Sequence, residues 1–554
     1  MDQVIEKLEL LGSGFLTNQL GFKNVETLGA CGVMINARNC AEALYLDKGS
    51  AIFKHKPLRL SLLLTVPKKR LALVYSLNED NITEQWLDKT SSFQWGDNKS
   101  TKLFLLSLDI DDEIFMQNSN DPNRTANMDG ALDVEVNKPL HQYQDLVRRQ
   151  VVTFLNQSNS TRTIIHMPTG AGKTRVAMEA IADFLRSLGR PNGSVVWLAH
   201  SEELCDQACS SFEEVWERMG PNDANIVKLW GGRNGQLSDT KPNFIVTSFQ
   251  TSYSMLVAAN DDRFRLFTQI RSLCNLIVVD EAHQSVAPTY QTAIELYCTT
   301  NTKILGLTAT PGRSYTQAQE DENRMLSSFY QNQKITIVGN HGQELDDPIS
   351  FLQNEQVLSR YEVQAIEGSN IELRPEELAE ISNQLEIPKS VLEKLGNDQA
   401  RTASIITATL QLVQEKGLQT IVFAPTKANA IVLALILKFR GCKAAAITGD
   451  TPSFDRKKNI ADFKEGEINV LTNYGVLTTG FDAPNTQAVI IARPTLSVVL
   501  FSQMAGRGLR GIKMGGTPDC FIINVKDNIL NLPDINEAFN YFNNLSKKVN
   551  FRVK

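Results

Sequence analysis

The chain has 554 residues, 42% of them apolar, and a net charge of −6, which predicts three or four domains with cores of their own and argues against a histone-like, purely electrostatic nucleic-acid binder. No stretch offers the roughly eighteen uninterrupted apolar residues of a membrane span, the first six residues lack a basic-then-apolar secretion pattern, and eight scattered cysteines make no disulfide framework. A reduced, cytoplasmic protein without a membrane partner is expected.

Residues 1–135 are predicted to form a small α+β accessory domain. Leu58-Arg-Leu-Ser-Leu-Leu-Leu-Thr-Val66, Leu71-Ala-Leu-Val-Tyr75 and Lys102-Leu-Phe-Leu-Leu-Ser-Leu-Asp-Ile110 read as strands between polar turns. Lys54, Lys56, Lys68, Lys69 and Arg70 make a mild basic cluster, and Trp86 and Trp95 are assigned to the core rather than to base stacking. Asn118 to Asn127, rich in Asn and Asp around Pro122, reads as a loop or linker.

The pattern changes at 136. Short apolar runs at Thr163–Met167, Ser194–Ala199, Asn243–Thr247, Leu276–Asp280 and Lys303–Thr308 leave room for helices between them. That is the pattern of a parallel sheet covered on both faces, assigned to 136–325. Residues 326–400 are more polar and read as a connecting segment. A second series at Gln419–Ala424, Cys442–Ile447, Asn469–Thr472, Ala488–Ala492 and Cys520–Val525 predicts another α/β domain over 401–530. Residues 531–554 form a tail whose basic residues are expected in solvent. The fold class is therefore α/β.

The chemistry concentrates at Met167-Pro-Thr-Gly-Ala-Gly-Lys-Thr174. Thr169, Gly170, Ala171 and Gly172 form a turn whose backbone amides point inward on phosphates. Lys173 reaches the β- and γ-phosphates and Thr174 holds Mg²⁺. Met167 stands where the common pattern has its first glycine, while Gly170 and Gly172 keep the flexible positions. Asp280 follows an apolar strand and supports the same Mg²⁺; Glu281 beside it is the candidate general base for water. Only the first α/β domain has such a loop, so the nucleotide is expected at the interface of the two. Arg507 and Arg510, three apart, share one face if helical and are placed to meet the γ-phosphate from across that interface. Cys205 and Cys209 are read as buried thiols rather than metal ligands.

These segments, in this order over roughly 136–525, resemble the superfamily 2 helicases of the DEAH-box, type III restriction-like branch. The resemblance implies two tandem RecA-like domains that use ATP with Mg²⁺. It makes Gln144 in Leu140-His-Gln-Tyr-Gln144 the adenine reader, with His141 where relatives often have Arg. Asp280-Glu-Ala-His283 is its second motif, and Thr308-Ala-Thr310 the one linking hydrolysis to domain movement. Gly480 and Asp482 fall in its fifth motif; Gln503, Arg507 and Arg510 fall in its sixth, with the arginines as fingers. It also implies nucleic-acid backbone contacts at His200, Glu203, Thr247, Ser248, Thr426 and Thr472, made without reading bases.

The expected function is an ATP-dependent helicase or translocase, with DNA favoured over RNA. The alternatives are the motor subunit of a restriction or anti-phage complex, with residues 1–135 docking a partner protein or sensing DNA, a nucleic-acid-activated signalling ATPase, or an RNA helicase.

Overall fold

The computed structural model describes residues 2–30, 32–96, 98–110, 139–157, 161–188, 193–257, 261–309, 324–383, 387–477, 483–495 and 497–527. The first sheet contains β1 (Arg162–His166), β2 (Ser194–Ala199), β3 (Asn225–Leu229), β4 (Asn243–Ser248), β5 (Cys274–Asp280), β6 (Lys303–Thr308) and β7 (Lys334–Thr336), in the order β3-β4-β2-β5-β6-β1-β7. Every pairing is parallel.

β2, β4 and β6 are buried at every position, which is why they read as unbroken apolar runs. Alternate side chains serve opposite faces. Val195 and Trp197 join the core under helices Lys173–Ser187 and Glu202–Met219. Val196 and Leu198 join the core under helices Phe249–Val257 and Pro288–Tyr297. Because all strands run the same way, their carboxyl ends share one edge, the place where such sheets bind ligands. His166, Ala199, Ser248, Asp280 and Thr308 end their strands there.

The second sheet contains β8 (Arg360–Glu367), β9 (Thr420–Phe423), β10 (Ala444–Ile447), β11 (Val470–Asn473), β12 (Ala488–Ile491) and β13 (Asp519–Lys526), ordered β10-β11-β9-β12-β13-β8 and again parallel throughout. The polar stretch after 325 is more than a connection. It supplies β7 to the edge of the first sheet and β8 to the edge of the second. The exposed, charged alternation of β8 hid it from a search for apolar runs.

A buried ion pair ties this second domain together. Arg401, on helix Gln399–Leu410, bonds Asp527 beyond β13 at 2.7 and 2.8 Å, and the Ala492 carbonyl beyond β12 at 2.6 Å. Both side chains are almost fully buried. Removing one partner strands the other charge in a dry interior. Arg401→Ala should therefore lower unfolding stability by about 3–5 kcal/mol, read from denaturant midpoints of the full chain; a loss below about 1 kcal/mol would show the pair to be dispensable.

The α+β expectation for the N-terminal region is corrected. The described residues 2–110 hold helices, including Ala37–Lys48, Lys56–Thr65, Lys68–Tyr75 and Lys99–Ser107, and no strand. The three runs read as strands are Leu-rich and poor in β-branched residues, a composition that favours helix. Their burial follows the helical period: Leu58, Leu62 and Leu63 are inside while Leu64 faces solvent. Phe104, Leu105 and Leu108 are inside, and Leu106 is out.

Trp95 packs in this module's core, stacked at 5.4 Å on Phe53, and Trp86 lies edge-on to Tyr75 at 5.0 Å. The basic cluster is divided: Arg70 bonds the Ser107 and Leu106 carbonyls and Asp109, and Lys56 pairs with Asp88 at 2.8 Å. The module shares one continuous apolar core with the second sheet's domain. The linker read at 118–127 and the tail at 531–554 lie outside the described residues. Among the described residues no helix is long and apolar enough to cross a membrane.

Candidate nucleotide site between the two sheets

The chain leaves β1 into the Gly-rich turn. Met167 continues the sheet by donating its amide to the Thr308 carbonyl at 3.2 Å, and its side chain is fully buried. This position needs an apolar core residue and no left-handed backbone, which accounts for the missing glycine. Gly170 and Gly172 do take the left-handed region, at φ +87° and +80°. A Cβ on Gly172 would sit 2.2 Å from Gln144 Nε2, and one on Gly170 3.2 Å from Leu358 Cδ2.

Two side chains hold the turn from behind. The Tyr143 hydroxyl and the Gln144 amide both donate to the Ala171 carbonyl, at 2.8 and 3.0 Å. Tying that carbonyl back leaves the inner side of the turn to amides. Gln144 Oε1 meanwhile accepts from the His141 amide at 3.0 Å, closing a capping box at the start of helix Gln142–Asn156. Gln144, expected to read adenine, is buried as a brace for the loop. Tyr143 was not singled out in the sequence; its hydroxyl could be placed only by tertiary packing.

Gly172 caps helix Lys173–Ser187, so Lys173 and Thr174 stand at a helix N-terminus, where the macrodipole adds to the positive field. Asp280 ends β5 and accepts the Glu281 amide on Oδ1 at 3.0 Å. Glu281 adopts φ +52°, a left-handed conformation rare for a side-chain-bearing residue. Its Oε2 lies 3.3 Å from His283 Nδ1. Burial and the Glu281 charge push the Asp280 carboxyl up. Burial alone would raise Glu281 as well, but Lys173 and the neighbouring His283 outweigh it and hold Glu281 low and ionised.

The second domain closes the opposite wall. Gln503 comes from helix Val498–Ala505. Arg507 and Arg510 lie beyond that helix, in the turn and bridge that follow, so the shared helical face is corrected. Both still line the cleft that holds Thr169, Lys173, Thr174, Asp280 and Glu281, a volume of about 510 Å³. Burial pushes Arg507 down to about 10, with the Glu281 charge opposing, and Arg510 likewise to about 10; both stay cationic at neutral pH. A Cβ on Gly506 would fall 2.6 Å from Thr169 Cγ2, so the turn carrying the arginines touches the phosphate loop itself. Asp206, Gln207, Ser210 and Ser211 line the cleft from helix Glu202–Met219, a polar stripe legible in the sequence but not picked out.

The expected nucleic-acid contacts fare differently. Thr247 is fully buried and donates to the Leu229 carbonyl at 3.1 Å; Thr472 is fully buried and donates to the Ala430 carbonyl at 2.6 Å. Neither hydroxyl faces outward, so both assignments are corrected: Thr247 ties β4 to β3, and Thr472 ties β11 to helix Lys427–Phe439. Ser248 is buried and caps the next helix through the Thr251 amide at 3.1 Å. Thr426 caps helix Lys427–Phe439 and is half-buried, so its hydroxyl can still donate outward. Glu203 bonds Arg456 of the second domain. Cys205 and Cys209 are buried, free thiols. Gly480, Asp482 and Thr310 lie outside the described residues.

Two family models match the chain: "Type III restriction enzyme, res subunit" over residues 137–313, and "Helicase conserved C-terminal domain" over 404–511. The putative ATP-dependent helicase IRC3 of Saccharomyces cerevisiae is 27% identical, covering 67% of this chain and 49% of its own length. A 51.5 kDa protein of a Lactococcus phage is 26% identical over 63% of this chain and 62% of its own. The ATP-dependent RNA helicase DBP3 of Yarrowia lipolytica is 24% identical over 63% of this chain and 56% of its own. The chain thus spans about half to three fifths of the length of these relatives. The first match covers the phosphate loop and the Asp280–Glu281 pair, the second ends just past the arginines, and the chain belongs to the superfamily 2 helicases of the type III restriction enzyme-like branch.

Proposed function

We propose that the chain hydrolyses ATP between its two α/β domains and uses the resulting motion to move along or separate nucleic acid, with DNA as the polymer. One observation carries this reading: Gln503, Arg507 and Arg510 of the second domain line the same cleft as Lys173, Thr174, Asp280 and Glu281 of the first. A site built from both domains can be completed only when they approach, which couples its chemistry to their motion.

The residues suit ATP and Mg²⁺. Lys173, Arg175, Arg507 and Arg510 line the cleft against Asp206, Asp280 and Glu281, so cations prevail, as a polyanion requires. The Thr174 hydroxyl and the Asp280 carboxylate are hard oxygen donors of the kind Mg²⁺ takes. ATP, when bound with Mg²⁺, supplies a γ-phosphoryl group open to in-line attack by water. The chain's own contribution is to hold that water's proton acceptor, Glu281, ionised, and to bring Lys173, Arg507 and Arg510 around the developing negative charge. Closure of Gly506 onto Thr169 brings the arginines in and shuts out bulk water.

The restriction-enzyme family match supports DNA. The name of the Yarrowia lipolytica relative supports RNA as a second reading. The test is ATP turnover with no polymer, single-stranded DNA, duplex DNA or RNA, each paired with a strand-displacement assay. Stimulation by DNA is expected; stimulation by RNA alone transfers the reading to RNA, and duplex stimulation without displacement makes the protein a translocase. Lys173→Ala should abolish hydrolysis, and retained turnover would refute the site.

A further inference from the structure

The N-terminal helical module lies outside both family matches, the first of which begins at residue 137 and the second at 404. It nevertheless meets the second domain at one consequential point. Helix Ser453–Lys464 begins after Pro452, which provides no side-chain cap, and carries Asp455 in its first turn. Asp455 is buried and accepts the Tyr45 hydroxyl on Oδ1 at 3.4 Å. Four residues after Tyr45, Gly49 ends helix Ala37–Lys48 with φ +50°. A Cβ there would stand 2.4 Å from Asp455 Oδ2 and 2.9 Å from Pro452 Cδ, so only glycine permits so close an approach. Glu42, one turn before Tyr45, faces Lys438 of helix Lys427–Phe439 at 3.6 Å, and the surrounding apolar core is common to module and domain. The module is therefore seated on the second domain by packing and by polar contacts at once.

The residue after Asp455 reaches the other domain. Arg456 bonds Glu203 in the first turn of helix Glu202–Met219, the helix whose polar side lines the nucleotide cleft. Arg456 is also steadied by the Thr448 and Thr451 carbonyls at 3.3 and 3.4 Å. One helical turn thus has the N-terminal module on one side and the first domain on the other.

We infer that Tyr45 and Gly49 are positioning residues of the motor: by fixing the first turn of helix Ser453–Lys464, they set Arg456 to meet Glu203 as the domains close. The inference rests on the proposed ATP-driven closure, and it gives the N-terminal module a mechanical part in turnover beyond any docking of partners.

A double-mutant cycle on the full chain tests it, comparing wild type, Gly49→Ala, Arg456→Ala and the double variant by steady-state ATP turnover with and without DNA. Each single change should lower DNA-stimulated kcat by about five-fold or more, and the double variant should fall no further than Arg456→Ala alone, since coupled residues are non-additive. Independent, multiplying losses would overturn the inference, as would a Gly49→Ala enzyme of unchanged kcat. Tyr45→Phe removes only a hydroxyl and keeps the ring's packing; paired with a melting curve, it serves if Gly49→Ala melts early. An unaltered Tm with reduced kcat is the expected result, and a lowered Tm with unaltered kcat assigns Tyr45 to stability alone and overturns it. Failure of every polymer to stimulate the wild type would instead defeat the helicase reading, and the cycle would still be readable in the unstimulated rate.

Discussion

Arg507→Ala is expected to lower the ATP turnover number by about a thousand-fold, the scale measured for arginine fingers in nucleotide hydrolases, while the KM for ATP changes far less. The side chain is half-buried and carries its charge at neutral pH, and the Glu281 carboxylate is close enough to favour that charge. It lies in a tight turn after helix Val498–Ala505, and the preceding Gly506 touches Thr169 of the phosphate loop. A long side chain on such a backbone has little freedom to lose when it meets a phosphate, so its electrostatic contribution is delivered with little reorganisation. Arg507→Lys keeps the charge but loses the planar fork and should recover only part of the rate. If the arginine served only to hold the domains together, its loss would raise the KM and spare kcat. An Arg507→Ala enzyme keeping more than about a tenth of wild-type kcat would therefore remove the finger from the mechanism.

How much of this arrangement could be read from residues alone depended on what each residue's neighbours had to supply. The central strands were legible because β2, β4, β5 and β6 are buried on both faces and leave unbroken Val, Ile and Leu runs. The edge strand β8 was not, because exposed Arg360, Glu362 and Gln364 interrupt its apolar positions. Leu58–Val66 misled for a different reason: leucines at alternate positions mimic a strand, and only burial of Leu58, Leu62 and Leu63 together shows the helical period.

At the site, motif order pointed to Lys173, Asp280 and Glu281, which the fold brings into one cleft because each stands at the end of a strand or turn. Thr247 and Thr472 also sit at strand ends, yet their hydroxyls turn inward to carbonyls of neighbouring elements. Side-chain direction at a strand end depends on the next element's packing, which one sequence does not state. The same limit hid Tyr143 and the bond between Glu203 and Arg456, each joining residues distant in sequence.

Glu281→Gln should reduce kcat by about 10²- to 10⁴-fold, the range for loss of a positioned general base, with ATP binding preserved. The amide is nearly isosteric, so the left-handed backbone at φ +52° and the turn that follows are retained. What is lost is basicity. In the native site Lys173 and His283 hold the Glu281 carboxyl ionised despite its burial, and an ionised carboxylate can take a proton that a glutamine cannot. Asp280 responds differently because burial and the Glu281 charge push it up. Replacing Glu281 by a neutral group removes one of those two causes, so Asp280 should become easier to ionise, and the Mg²⁺ requirement of the variant should not rise. Asp280→Asn should show the opposite signature, a raised Mg²⁺ concentration for half-maximal turnover, since it deletes a hard oxygen donor. The two variants together separate proton acceptor from metal ligand within one adjacent pair. With chemistry stalled and closure intact, Glu281→Gln should also hold nucleic acid longer in the presence of ATP than the wild type does. If Glu281→Gln turns over at the wild-type rate, the water's proton goes elsewhere and the assignment of Glu281 fails.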